Sequence, residues 1–145
     1  MNYKHPVSVL VVIYAQSTGR VLMLQRRDDA GFWQSVTGSL EPGETPGQAA
    51  AREVQEELAI DVAAQGLMLE DCHQQIEFEI FPHYRHRYAP GVTHNREHWF
   101  LLALPEELPV VLSEHLASQW LPGAQAAALT RSWSNRDAIE KFIAC

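Results

Sequence analysis

Cysteine is almost missing from this 145-residue chain: there are two, Cys72 and Cys145, with no CxxC pair and no Cys/His spacing suited to zinc. That excludes a disulfide framework and a thiolate metal site, and makes a reducing cytoplasm the expected setting. Cations are scarce as well. Eleven Lys and Arg stand against 18 Asp and Glu, a formal charge of −7, which argues against nucleic acid or an anionic membrane as a partner. No apolar run approaches the ~18 residues a membrane-spanning helix needs, and there are no repeats, low-complexity tracts or linkers. The length suits one domain over residues 1–145, large enough to bury a core. Any anionic substrate must be met by local cations or by metal.

Lys4 followed by the apolar run Val7 to Ala15 imitates the charged and apolar parts of a secretory signal. The run is rich in Val and Ile, however, and Gln16-Ser17-Thr18-Gly19 then turns it towards Arg20 to Gln25, so it reads as one arm of a hairpin. Strands are expected at 7–15, 20–26 and 33–38, within 61–71, 74–81 and 96–104, and again at 108–112. Helices are expected at 46–58, at 124–129 and at 134–143, the last with Ser134 as its N-cap and Ala138, Ile139, Phe142 and Ile143 as an apolar stripe. This mixed order predicts an α+β fold.

The richest segment is Gly38 to Ile60, GSLEPGETPGQAAAREVQEELAI. Thr45 is an N-cap type, Pro46 suits the first helical position, and Gln48 completes a capping box. On the helix that follows, Glu53, Glu56 and Glu57 fall within an arc of roughly 100°, beside an apolar arc of Ala50, Ala51, Val54 and Leu58. Like charges so placed repel, Glu53 and Glu57 being at i, i+4. A cation offsets this, and hard ions such as Mg²⁺ favour oxygen ligands shared with substrate phosphates. A merely solvated Glu-rich face is the plainer alternative.

The spacing of Gly38, Glu44, Arg52, Glu53, Glu56, Glu57 and Ile60 resembles the Nudix box, the 23-residue signature of hydrolases acting on nucleoside diphosphates linked to another group. Six specified residues at about one chance in fifteen make a random match a roughly 10⁻⁷ event. The one departure is Ala59, where the family usually has Gly, and it bears on how the helix ends. The resemblance implies an α/β/α sandwich around a mixed sheet, covering essentially the whole chain. It implies Mg²⁺, with Mn²⁺ able to substitute, held by Glu53, Glu56 and Glu57. Gly38, Glu44 and Arg52 are then architectural, Arg52 pairing with the loop carboxylate.

A general base in such enzymes often lies outside the box. Glu114, in the loop before Gln119-Trp120-Leu121, stands where related enzymes put a catalytic or metal-binding glutamate, and His115 is the rival. Glu53, Glu57 and Glu114 are thus the expected catalytic set. For phosphates the chain offers Lys4, Arg26, Thr37 near the box, and Ser132 and Ser134 near the last helix N-terminus. His83 to Arg87 is the densest basic cluster, and reads as a solvated loop or subunit contact as readily as a phosphate clamp. For a flat ring there are Phe32, Trp33 and the wall Phe78-Glu79-Ile80-Phe81. An alternating strand shows only two of those four to one side unless it bulges.

The stretches at 5–15, 22–28, 32–39, 78–81, 85–93 and 132–136 resemble those Nudix hydrolases that remove pyrophosphate from a pterin triphosphate and also accept some nucleoside triphosphates. The implied partner is a small-molecule pterin or nucleoside triphosphate, and the expected assembly a monomer or weak homodimer. A nucleotide-pool sanitising hydrolase shares the metal chemistry and differs in the ring pocket. A non-catalytic Nudix binding module predicts a degraded box, whereas the glutamates here are intact.

Overall fold

The computed structural model describes residues 3–143, so Cys145 lies outside it. Strand β1 (Val7–Ala15) is almost wholly buried, which explains a sequence apolar but for Ser8. Val9, Val11 and Ile13 join the core on one face, while Leu10 and Val12 join a second core on the other. The second residue set alternates with the first, so one strand serves two layers.

Around β1 a seven-stranded mixed sheet is built. It comprises β2 (Val21–Arg26), β3 (Trp33–Gln34), β4 (Val36–Ser39), β5 (Met68–Glu79), β6 (His94–Leu104) and β7 (His115–Leu121). β6 runs parallel to β1 in nine registered pairs, Val7↔Arg96 to Ala15↔Leu104, and β5 pairs antiparallel outside it. β2 meets β1 in register only at Tyr14↔Val21 and gives its length to β7. Residues 33–39 bridge the remaining gap: β3 pairs with β2, and after Ser35 β4 pairs with β1.

Helix α1 (Pro46–Leu58) covers one face of the sheet through Ala49, Ala50, Val54 and Leu58. Helices α2 (Gly123–Leu129) and α3 (Trp133–Phe142) cover the other through Ala126, Ala127, Ala138 and Ile139. The result is the expected α/β/α sandwich. Both sides of the capping box form at α1, between Thr45 and Gln48. Its exit uses Ala59 in the left-handed region, φ 58°, with the Ala59 N–H donating to Gln55 O. Alanine takes the geometry that glycine takes without strain.

Several boundaries differ from the sequence reading, each for a physical reason. Residues 61–66 turn instead of pairing, and a single long β5 replaces two strands, its ladder shifting between Asp71 and Gln75 where His73 has φ 53°. The apolar alternation at 108–112 is not a strand. Leu108, Val110 and Leu112 lay their side chains on the α1 core, while Val111 N–H donates to Leu58 O at the helix end. β7 carries little apolar signal in the sequence because polar residues such as the exposed Ser118 and the half-buried Gln119 interrupt it. α3 is capped by Ser132, whose Oγ accepts from Asn135 N–H at 3.2 Å, and Ser134 is buried within the first turn. On α1 the buried arc includes Ala49 and Glu57, leaving Ala51 half-buried.

Candidate active site

Arg52 organises the box. Its Nε and one terminal nitrogen donate to the two Glu44 oxygens at 2.7 and 2.9 Å, and the same terminal group reaches Ser39 O at 3.0 Å. The other terminal nitrogen donates to Glu53 Oε1 at 2.6 Å and to Glu56 Oε2 at 3.2 Å. A planar fork suits such bidentate pairing better than an ammonium would. These hydrogen bonds hold Glu44 below and Arg52 above their ordinary pKa values. Glu44 also accepts from Glu41 N–H, so the loop is stapled to itself and to the helix.

Above this fork, Glu53 presses against the backbone of β4. A Cβ added at Gly38 would stand 2.5 and 2.6 Å from its two carboxylate oxygens, so only glycine allows the approach. Glu57 lies beside Glu53, buried in the fold at 1 % exposure. Burial, and then Glu53 beside it, push the Glu57 carboxyl well above its usual range. His115 Nε2 lies 3.7 Å from Glu57 Oε1, too far for a hydrogen bond, and burial holds the imidazole towards its neutral form. Glu114 borders both the cavity containing Glu57 and the adjoining groove containing Glu53 and Glu56. Its loop is anchored by Ser113, whose hydroxyl donates to Glu56 O at 2.5 Å.

Among the described residues, no three acidic, His or Cys side chains converge into a closed metal cage. Glu53 and Glu56 lean on Arg52, while the buried Glu57 Oε2 has no hydrogen-bond partner. An open edge of hard oxygen donors, one of them orphaned, fits an ion such as Mg²⁺, which keeps waters and shares its shell with substrate phosphates.

From Glu57 a cavity of about 480 Å³ runs between the sheet and the N-terminus of α3. Phe78, Glu79, Ile80 and Phe81 all line it, because β5 ends at Glu79 and the chain then turns into the 3₁₀ segment Pro82–Arg87. Phe78 meets Trp133 edge-on at 6.4 Å, and Phe81 meets Phe32 edge-on at 6.5 Å. Glu79 sits at the exposed rim, paired with Arg85 at 2.8 Å. Ser132 lies at the α3 end, its oxygen already capping the helix. Trp33 packs instead with the core beneath α2 and α3.

The cations differ in freedom. Arg26 lines the cavity but its guanidinium grips Asp28 at 2.8 and 2.6 Å and rests on the Phe32 and Tyr84 rings. Arg87 shares Asp28 and Tyr84, and Asp28 is held well below the usual carboxylate range. Lys4, by contrast, borders cavity and groove together with Thr37 and Gly38 and makes no ion pair among the described residues. Desolvation, then Arg87 and Arg26, lower its pKa. Of the 83–87 cluster, Tyr84 and Arg87 line the cavity.

The cavity also has a polar floor, in which Ser134 joins five residues that the sequence alone did not single out: Ser8, Gln34, Asn95, Glu97 and Asn135. Asn135 Oδ1 accepts from Ser35 N–H at 2.7 Å and its Nδ2 donates to Ser35 Oγ at 3.0 Å, tying α3 to the break between β3 and β4. Glu97 Oε1 accepts from the Trp99 indole at 3.0 Å, and burial pushes its carboxyl up to about 7. The available signal was a charged residue sharing a strand face with Trp99 and Leu101.

A family model described as the NUDIX domain matches residues 4–142. The dihydroneopterin triphosphate diphosphatase of Escherichia coli strain K12 is 68 % identical over 141 residues, covering 97 % of this chain and 94 % of the relative. The Haemophilus influenzae protein of the same name is 52 % identical over 143 residues, covering 99 % and 90 %. Among solved structures, that of the E. coli dihydroneopterin triphosphate pyrophosphohydrolase superposes with a TM-score of 0.97 at 67 % identity, covering 99 % of both chains.

Proposed function

The chain belongs to the Nudix family, and from that premise we propose that it hydrolyses 7,8-dihydroneopterin triphosphate to the monophosphate and pyrophosphate, a step of folate biosynthesis, with side activity on nucleoside triphosphates. The observation that carries the substrate is identity of 68 % across 97 % of the chain to a relative of that name. The cavity suits it: aromatic walls for a flat ring lie at one end, and the carboxylate edge at the other.

Nudix hydrolases generally use divalent metal ions. Here Glu53, Glu56, Glu57 and Glu114 would hold Mg²⁺, which supplies charge neutralisation on the phosphoryl oxygens and a positioned water nucleophile. The chain's own residues do the rest. Arg52 and Gly38 fix the Glu53 carboxylate, Lys4 meets the triphosphate between ring cavity and carboxylate edge, and Thr37 and Ser132 offer hydroxyls. Glu114 takes the proton of the attacking water, with His115, kept neutral by burial, as the rival acceptor. Arg26 contributes mainly by packing, since Asp28 already occupies its fork. No helix among the described residues is long and apolar enough to cross a membrane; a cytoplasmic monomer or weak homodimer is our reading.

The test is product analysis in ¹⁸O water by phosphorus NMR, comparing dihydroneopterin triphosphate with nucleoside triphosphates. Pyrophosphate release with kcat/KM highest for the pterin is expected, and Glu57→Gln should keep the fold while losing at least ~10²-fold in kcat. Release of inorganic phosphate, or clear preference for a nucleotide, would overturn the assignment.

A further inference from the structure

Along β6, Asn95, Glu97 and Trp99 alternate onto the face that meets α3. The strand partners of the first two place them: Phe78 lies opposite Asn95, Ile76 opposite Glu97, and Ser8 stands beside Glu97 in the parallel ladder. Both side chains are buried, at 1 % and 5 % exposure, yet both line the ring cavity.

Their hydrogen-bonding capacity is unevenly used. Asn95 Nδ2 donates to Ser8 Oγ at 2.6 Å, which fixes the amide and leaves Oδ1 buried with no partner. Glu97 takes the Trp99 indole N–H and is favoured in its charged form by Ser134, but a carboxylate has about four acceptor sites. The floor of the cavity therefore presents unfilled acceptors and calls for donors. Burial that raises the Glu97 pKa says the same thing: its charge is poorly compensated until something supplies N–H groups.

Building on the pterin reading above, we propose that Glu97 and Asn95 select the ring, their oxygens accepting the adjacent ring N–H and exocyclic NH₂ of a fused 2-amino-4-oxopyrimidine. That edge offers two parallel donors, the complement of a carboxylate. Replacing the amine by a carbonyl, as in a 2,4-dioxo ring, sets oxygen against oxygen. Adenine and cytosine edges offer one acceptor and one donor and are rejected for the same reason. Phe78 and Trp133, edge-on to each other, line the same cavity beside these acceptors. The guanine ring carries the same donor pair, so GTP and its 2-oxo counterpart XTP isolate the contact without reference to turnover.

Equilibrium dialysis of the full chain in EDTA with GTP or XTP gives the affinity ratio. The wild type should favour GTP, and Glu97→Gln, whose amide offers one acceptor and one donor, should lower the GTP-to-XTP preference by about 10- to 100-fold. Asn95→Ala should move the ratio the same way by less, and serves alone should Glu97→Gln fail to fold. Equal weakening for both nucleotides would show that Glu97 only braces β6 against α3, and would overturn the proposal. The pterin assignment fails separately: wild-type kcat/KM no higher for dihydroneopterin triphosphate than for GTP would remove it, while the binding ratio still decides the role of Glu97.

Discussion

Replacing Gly38 by alanine sets one methyl group against the Glu53 carboxylate, and the consequences follow from a few distances. The new Cβ would stand 2.5 and 2.6 Å from the two oxygens, where ordinary contact begins at 3.4 Å. The backbone cannot give easily, since Gly38 is paired with Val9 within the sheet. Glu53 must retreat instead, stretching its 2.6 Å bond to Arg52. Overpacking of this kind costs about 1–3 kcal/mol, and the stiffer unfolded chain returns about 0.4–1 kcal/mol. A net loss of about 1–2 kcal/mol lowers Tm by roughly 3–6 °C for a chain of this size. Activity should suffer more, by about 10²-fold in kcat, because displacement of a reactive group by an ångström carries that penalty. The decisive assay repeats Gly38→Ala in a Glu53→Ala background. With the carboxylate gone the methyl has nothing to strike, so the penalty should disappear and leave only the small gain from the stiffer unfolded chain. An unchanged penalty in that background would show that Gly38 is needed for something other than Glu53.

Glu114→Ala should lower kcat while leaving KM within a few fold, whereas His115→Ala should do less; the reverse order in steady-state kinetics would move the proton acceptor to His115. Glu97 makes stability pH-dependent. Its carboxyl rises from 4.5 to about 7 on folding, so the folded state holds a proton that the unfolded state loses, and stability falls as pH climbs from 4.5 through 7. The loss totals about 3 kcal/mol. Thermal denaturation between pH 4.5 and 8 should show it as a declining difference between wild type and Glu97→Gln, and parallel curves would contradict it.

What the sequence disclosed depended on how local the interactions are. α1 was legible to its ends because Thr45, Pro46 and Gln48 complete its cap within four residues. β1 announced itself by being apolar on both faces. The segment 108–112 misled because an extended, half-buried loop alternates like a strand, and alternation does not reveal whether backbone partners exist. Ser132 and Ser134 were confused because either serine can cap, and the choice was made by Asn135 binding Ser35 from across the fold. In the site, the carboxylate edge lies within one contiguous stretch and was read directly. The acceptor floor was not, since Asn95 and Glu97 acquire meaning only beside Ser8, Phe78 and Ser134.

That difference in locality has a kinetic consequence. Glu44, Arg52 and Glu53 are brought together by a ten-residue span of loop and helix, a closure of short range and small entropic cost. The ring cavity waits on β1 finding β6, about ninety residues later in the chain, and on Asn135 reaching Ser35 across a separation of 100 residues. Long-range closures come slowly. During refolding, therefore, the Glu44–Arg52–Glu53 staple is expected to form before the ring cavity, which is completed when α3 docks. A chain caught between those events would carry that staple with no pocket to choose what reaches it.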